Sequence, residues 1–175
     1  MNNSPSRKKN RLTDFDYSQN GAYFITICTK DMKCLLSKIC ASKTDFVGDG
    51  ALDVPKTILS KTGIIIDNEI QKMNVVYDNI KVNSYVIMPN HVHLLIIITN
   101  THPNGTSRAP SPTNSLIARY ISTLKRMTNK KCGIDLWQRS YYDHIIRNEE
   151  DYLSHLQYID ENPKKWLLGK DEYYI

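Results

Sequence analysis

The stretch Tyr85-Val-Ile-Met-Pro-Asn-His-Val-His-Leu-Leu-Ile-Ile-Ile98 decides how the chain is read. Its end is a β-branched apolar run of strand type. Side chains two apart on a strand project from one face, so His91 and His93 stand side by side while Val92 points into the core. Pro89 cannot donate to a ladder, so Pro89-Asn90 marks a turn or bulge that delivers the histidines to the sheet surface. Two readings of the pair stand on these residues alone. It is either a two-point metal clamp or a pair of satisfied polar side chains on a half-buried strand.

Outward from this stretch, Tyr23-Phe-Ile-Thr-Ile-Cys-Thr29 alternates large β-formers and reads as a central strand. Cys34 to Cys40 reads as a further short strand. Residues 41–55 contain Gly48-Asp49-Gly50, a turn signature, which makes this region a hairpin excursion. Ile66, Ile70 and Met73 fall at helical spacing and predict an amphipathic helix over 60–74. Residues 82–88 and 92–99 are the next strands. Residues 100–112 hold three prolines, a glycine and several hydroxyl residues, a linker between a sheet-rich front and a helical back.

The back half opens with Asn114-Ser115 as a helix cap, and a helix runs on to about residue 131 with Leu116, Ile117, Tyr120, Ile121, Leu124 and Met127 on one face. Arg119, Lys125, Arg126, Lys130 and Lys131 lie largely elsewhere on that helix; they are a solvated face or the best candidates for phosphate contact. Residues 137–146 add a loop and a short extended piece. Asn148-Glu149-Glu150 begins a last helix, expected to end near residue 161 because Pro163 follows.

Composition narrows the class. The chain has 175 residues, a formal net charge of +5 and four cysteines with no C-x-x-C spacing. The charge permits a polyanion partner without demanding one. The cysteines read as reduced thiols of a cytoplasmic protein. No structural zinc site is evident from their spacing, and the run Leu94 to Ile98 is far short of a membrane span. The basic start, with Arg7, Lys8, Lys9 and Arg11, is either a disordered lead-in or a nucleic-acid-contacting arm. The expected organisation is a tail over 1–20, one domain over 21–166 and a tail over 167–175.

On the last helix Tyr158 and Asn162 are four apart and share a face. A packed ring and a helix-end amide would explain them separately. With His91 and His93 they also supply one chemistry: two imidazoles and an amide oxygen hold a divalent cation, the cation polarises a phosphodiester, and a phenolate attacks it. Tyr141, Tyr142 and Tyr152 are the competing tyrosines nearest in sequence. His144 and His155 read as surface or structural residues, and Asp160 and Glu161 are not assigned to the metal.

Four ordered blocks carry a resemblance: Arg11-Leu with Asp16-Tyr-Ser and Gly21 to Thr29, Tyr85 to His93, Leu136-Trp-Gln-Arg-Ser-Tyr-Tyr-Asp-His-Ile-Ile-Arg-Asn-Glu-Glu150, and Tyr158-Ile-Asp-Glu-Asn-Pro163. Together they resemble the REP-associated tyrosine transposases, relatives of the single-strand insertion-sequence transposases in the HUH superfamily. The resemblance implies an α+β fold, a ferredoxin-like or RRM-like antiparallel sheet with the histidines at its centre and helices on the other face. It implies His91, His93 and Asn162 as metal ligands for Mg²⁺ or Mn²⁺, and Tyr158 as nucleophile. The implied reaction cuts single-stranded DNA at hairpin-forming palindromes through a covalent 5′-phosphotyrosine and rejoins it by reversal, without a nucleotide cofactor. Monomer and homodimer both occur in the resemblance. Two other classes compete: a non-catalytic module that binds hairpin DNA or RNA, and a metal hydrolase that attacks with water.

Overall fold

The computed structural model describes residues 19–42, 54–99, 115–171 and 173. The basic start, the Gly48-Asp49-Gly50 turn and the linker over 100–112 lie outside the described residues. The chain runs β1 (Gly21–Cys28), β2 (Ser37–Ser42), β3 (Val54–Leu59), α1 (Lys61–Val76), β4 (Ile80–Ile87), β5 (His91–Ile98), α2 (Leu116–Cys132), β6 (Tyr142–Ile146) and α3 (Glu149–Leu167). Four strands form one sheet in the order β4-β5-β1-β6, with all neighbours antiparallel, and β2 pairs β3 as a separate hairpin. β1, read as central from its alternation, and β5, whose histidines the resemblance places at the centre of the sheet, are the two central strands.

Alternation along these two strands divides the molecule into layers. Tyr23, Ile25 and Ile27 of β1 and Val92, Leu94, Ile96 and Ile98 of β5 enter the main core with Ile66, Ile70 and Met73 of α1 and Ile117, Tyr120, Ile121 and Leu124 of α2. The intervening residues face the opposite side. There Phe24 and Leu95 pack with Ile159 of α3, flanked by Tyr152, Leu156 and Tyr158. So α1 and α2 cover the sheet face opposite the histidines, as expected, and α3 lies on the histidine face itself.

Local chemistry sets the element ends. Ser60 caps α1, its hydroxyl accepting from the Gly63 N–H at 3.1 Å, and Ser115 caps α2 by accepting from Ala118 N–H at 3.2 Å. Gly133 ends α2 with φ 69°, the left-handed conformation that favours glycine. At α3 the Asn148 side chain accepts from Asp151 N–H at 2.8 Å, while the Asp151 carboxylate accepts from Arg147 N–H at 3.1 Å. Pro89-Asn90 forms the tight β4–β5 turn, closed by Met88 N–H donating to His91 C=O at 2.9 Å. The ladder irregularity lies earlier in β4, between Val82 and Ser84.

Strand β2 begins at Ser37 and not at Cys34, and the largest difference from the sequence reading is the end of α3. α3 does not stop before Pro163 but continues through it to Leu167. Proline at that position forfeits only the bond its missing N–H would give the Ile159 carbonyl. Hydrogen bonding resumes beyond it, with Leu168 N–H donating to Lys164 C=O at 3.2 Å. The extra turn places Trp166 beside His91, with ring centroids 6.2 Å apart.

Candidate active site

β1 and β5 bring the histidines to the middle of the sheet. His91 lies opposite Cys28 and His93 opposite Thr26, and both imidazoles are essentially excluded from solvent, at 0% and 1% exposure. Their rings meet edge to face with centroids 4.5 Å apart. α3 crosses this face and sets Asn162, also 0% exposed, and Tyr158 over the pair. The Tyr158 ring meets His93 at 5.2 Å and Phe24 at 5.8 Å, both edge on. Lys165, two turns along α3, holds its ammonium 4.6 Å from the centre of the Tyr158 ring. The sheet and the last helix thus assemble all four residues singled out as catalytic or metal-binding.

The hydrogen bonds fix what each imidazole offers. Asn90 Nδ2 donates to the Tyr173 main-chain carbonyl at 2.8 Å, so the other amide atom, Oδ1, is the one that faces His91 Nδ1 at 2.7 Å. An amide oxygen only accepts, so His91 carries its proton on Nδ1 and, when neutral, presents a lone pair at Nε2. His93 Nδ1 is engaged by the Thr26 hydroxyl at 2.8 Å. Burial holds His91 down to about 3; the nearby Asn162 amide, short of good hydrogen-bond geometry, offsets a part of this. His93 is lowered well below its ordinary value by burial first, then by His91 and His155. Both rings are therefore neutral bases at physiological pH.

His91 Nε2, His93 Nε2 and both amide atoms of Asn162 are buried without a hydrogen-bond partner. Leaving one such atom unmade costs about 1–3 kcal/mol, and four in one place call for a ligand. Two imidazole lone pairs and an amide oxygen, with the Nδ1 atoms anchored behind them, are the donor set and the outer support that a divalent cation takes. The residues fit such an ion.

Beside this centre lies a cavity of about 340 Å³ lined by Phe24, Thr26, His93, Tyr142, His144 and Tyr158, among others. The competing tyrosines go elsewhere or lie at its edge. Tyr141 is buried in the main core, and the Tyr152 hydroxyl accepts from Asn83 Nδ2 at 2.6 Å. Tyr142 is half exposed at the rim. The five basic residues of α2 lie on the helix that covers the opposite sheet face. Arg119, Arg126 and Lys130 are exposed. Lys125 donates to the Gln138 and Ser140 carbonyls at 2.7 and 2.8 Å, and Lys131 pairs with the buried Glu69.

Sequence reasoning missed three contributors. Asn90 fixes the His91 tautomer, Thr26 engages Nδ1 of His93, and Tyr173 lies over both imidazoles, at 4.5 Å from His91 and 5.7 Å from His93. Only Asn90 carried a sequence signal, its place directly before His91. Tyr173 lies in the stretch expected to be a tail.

No family model matches the chain. An uncharacterized protein of Haemophilus influenzae is 29% identical over 186 aligned residues, 97% of this chain and 93% of that protein. A REP-associated tyrosine transposase of Escherichia coli is 31% identical over 86 residues, 49% of this chain and 45% of that protein. Over about half its length the chain is similar to REP-associated tyrosine transposases. The solved structure of a REP-associated tyrosine transposase bound to a REP hairpin aligns with a TM-score of 0.58 and 20% identity, over 91% of this chain and 74% of that one. That likeness carries the α+β fold. The chain spans about half the length of the named curated relative from Escherichia coli that it matches. Among the described residues no helix is long and apolar enough to cross a membrane.

Proposed function

We propose that the chain is a metal-dependent enzyme of the HUH class that nicks and rejoins single-stranded DNA at hairpin-forming palindromes, with Tyr158 as nucleophile. The observation that carries the reading is the group of four unpartnered buried polar atoms on His91, His93 and Asn162, set beside the ring of Tyr158. His91, His93 and Asn162 would hold Mg²⁺ or Mn²⁺, and the bound cation would supply Lewis-acid polarisation of a phosphodiester. Asn90 keeps the His91 proton on Nδ1 and so leaves its Nε2 lone pair available, and the Thr26 hydroxyl, by accepting from His93 Nδ1, would do the same for His93. Tyr158 attacks phosphorus through its phenolic oxygen. A new phosphotyrosine bond forms at the 5′ side, and the 3′ oxygen leaves with the bonding pair to become a 3′-hydroxyl. Attack of a 3′-hydroxyl on that linkage reverses the step and joins strands.

The family relationship supports this reading, as does the hairpin held by the structural neighbour. Arg119, Arg126 and Lys130, with Lys125 and Lys131 behind them, are the proposed phosphate contacts on α2. All four cysteines are free, which suits the reducing cytoplasm.

The test uses labelled single-stranded oligonucleotides containing palindromes from the flanks of the protein's own gene, with Mn²⁺ or with chelator, on a denaturing gel. The expected result is cleavage that needs the metal and disappears in Tyr158→Phe. Tyr173→Phe retains it. Cleavage that survives Tyr158→Phe would assign the attack to water or another tyrosine, and hairpin binding without cleavage across all palindromes would make the chain a non-catalytic binding module.

A further inference from the structure

A second group of ligand-type side chains lies at the wall of the same cavity and has no part in the chemistry above. His144 of β6, Asp151 in the first turn of α3 and His155 one turn later place one donor atom each within 4.8 Å of one another. His144 Nε2 is 2.9 and 3.1 Å from the two Asp151 carboxylate oxygens. His155 Nδ1 is 3.1 Å from Asp151 Oδ1. The two imidazoles stack with centroids 4.6 Å apart and 19° between planes.

We propose that His144, Asp151 and His155 form a metal site for a zinc-class transition ion, separate from the His91–His93–Asn162 centre. Helix capping explains part of Asp151, since its Oδ2 accepts from Arg147 N–H. It does not explain why imidazoles from two different elements converge on the one carboxylate. Metal–nitrogen and metal–oxygen bonds of about 2.0–2.2 Å put neighbouring tetrahedral ligand atoms about 3.3 Å apart. The two separations to Oδ1, 3.1 Å from each imidazole, reach that value with a small outward movement. Two imidazoles and one carboxylate are borderline donors suited to zinc, cobalt or nickel.

Binding requires tautomer shifts, the outward movement and a turn of the His155 ring off the Asp151 main-chain oxygen. The His144 proton moves from Nε2 to Nδ1, and the His155 proton, now on Nδ1 and donated to the Asp151 main-chain oxygen at 2.8 Å, moves to Nε2. Oδ1 becomes the ligand and Oδ2 keeps its backbone donor. Three protein donors leave a fourth position for water or a phosphate oxygen. The ion would fasten the edge strand β6 to the N-terminal end of the helix that carries Tyr158.

The test is equilibrium dialysis and calorimetry of Zn²⁺, with Co²⁺ absorption as the geometric probe, on the full chain carrying His91→Gln and His93→Gln so that the first centre is removed. One equivalent of Zn²⁺ with a tetrahedral Co²⁺ spectrum is expected. His144→Phe, which keeps the ring stack, and His155→Ala should each weaken it at least 100-fold, and Zn²⁺ should raise the melting temperature only of the protein that keeps both imidazoles. Zn²⁺ binding unchanged in both variants, or absent from the folded background protein, overturns the proposal. Should that background protein fail to fold, the wild-type chain must lose one of two equivalents on His144→Phe; retention of both overturns it equally.

Discussion

Lowering the pH of the metal-free protein should unfold it through the buried histidine pair. His91 titrates at about 3 in the fold and His93 well below its ordinary 6.5, whereas in the unfolded chain both rings titrate near 6.5. Depressed folded-state values mean that the unfolded chain takes up protons first. The stability the neutral rings contribute is therefore present above about pH 6.5 and is lost as pH falls toward the folded values. At about pH 5 the solution is ~1.5 pH units below the titration point of the unfolded His91 ring, worth about 2 kcal/mol at ~1.36 kcal/mol per unit, and His93 adds to the loss in the same direction. Against a domain stability of about 5–15 kcal/mol that is a large fraction. The assay is urea denaturation with chelator at about pH 7.5 and about pH 5, comparing wild type with His91→Gln/His93→Gln. Carboxylates and the other histidines are common to both proteins and cancel. Wild type should lose about 2 kcal/mol or more beyond the loss of the double variant; an equal acid loss in the two would refute the assignment of buried neutral imidazoles.

Three further outcomes follow from named contacts. Asn90→Ala removes the acceptor that fixes the His91 tautomer and should weaken Mn²⁺ binding by about 10–100-fold in a titration followed by electron paramagnetic resonance; unchanged affinity would remove Asn90 from the metal's support. Gly63→Ala would put a Cβ 2.1 Å from the Leu36 carbonyl oxygen, and chemical denaturation should show a loss of about 3 kcal/mol or more, whereas a neutral effect would mean that α1 does not pack this closely. Tyr173→Ala uncovers the two imidazoles, so diethylpyrocarbonate labelling of His91 and His93, read by peptide mass, should rise, and constant labelling would show that Tyr173 is not their cover.

What the sequence disclosed and what it withheld divide along a physical line. Periodicity is local, and so β1, β5, α1 and α2 were legible from their apolar spacing, the start of α2 from Ser115 as its cap, and the start of α3 from the acidic first turn after Asn148. The facing of His91 and His93 followed from strand geometry, and the shared face of Tyr158 and Asn162 from helix geometry. Pairings through space left no such trace: Thr26 reaches His93 across 67 positions and Asn90 reaches Tyr173 across 83. Pro163 misled because a proline's local cost was weighed without the packing that carries α3 past it to Trp166. His144 and His155 read as unremarkable because their meeting point, Asp151, is set by how β6 runs into α3 rather than by spacing along either element.

The most direct test of the central claim is to trap the protein on a cleaved palindromic oligonucleotide in Mn²⁺, digest the adduct and locate the modified residue by mass spectrometry. The structure predicts a single nucleotide-bearing peptide, with a 5′-phosphoryl linkage on Tyr158. A linkage on Tyr173 or Tyr142, or cleavage products with no protein attached, would contradict it.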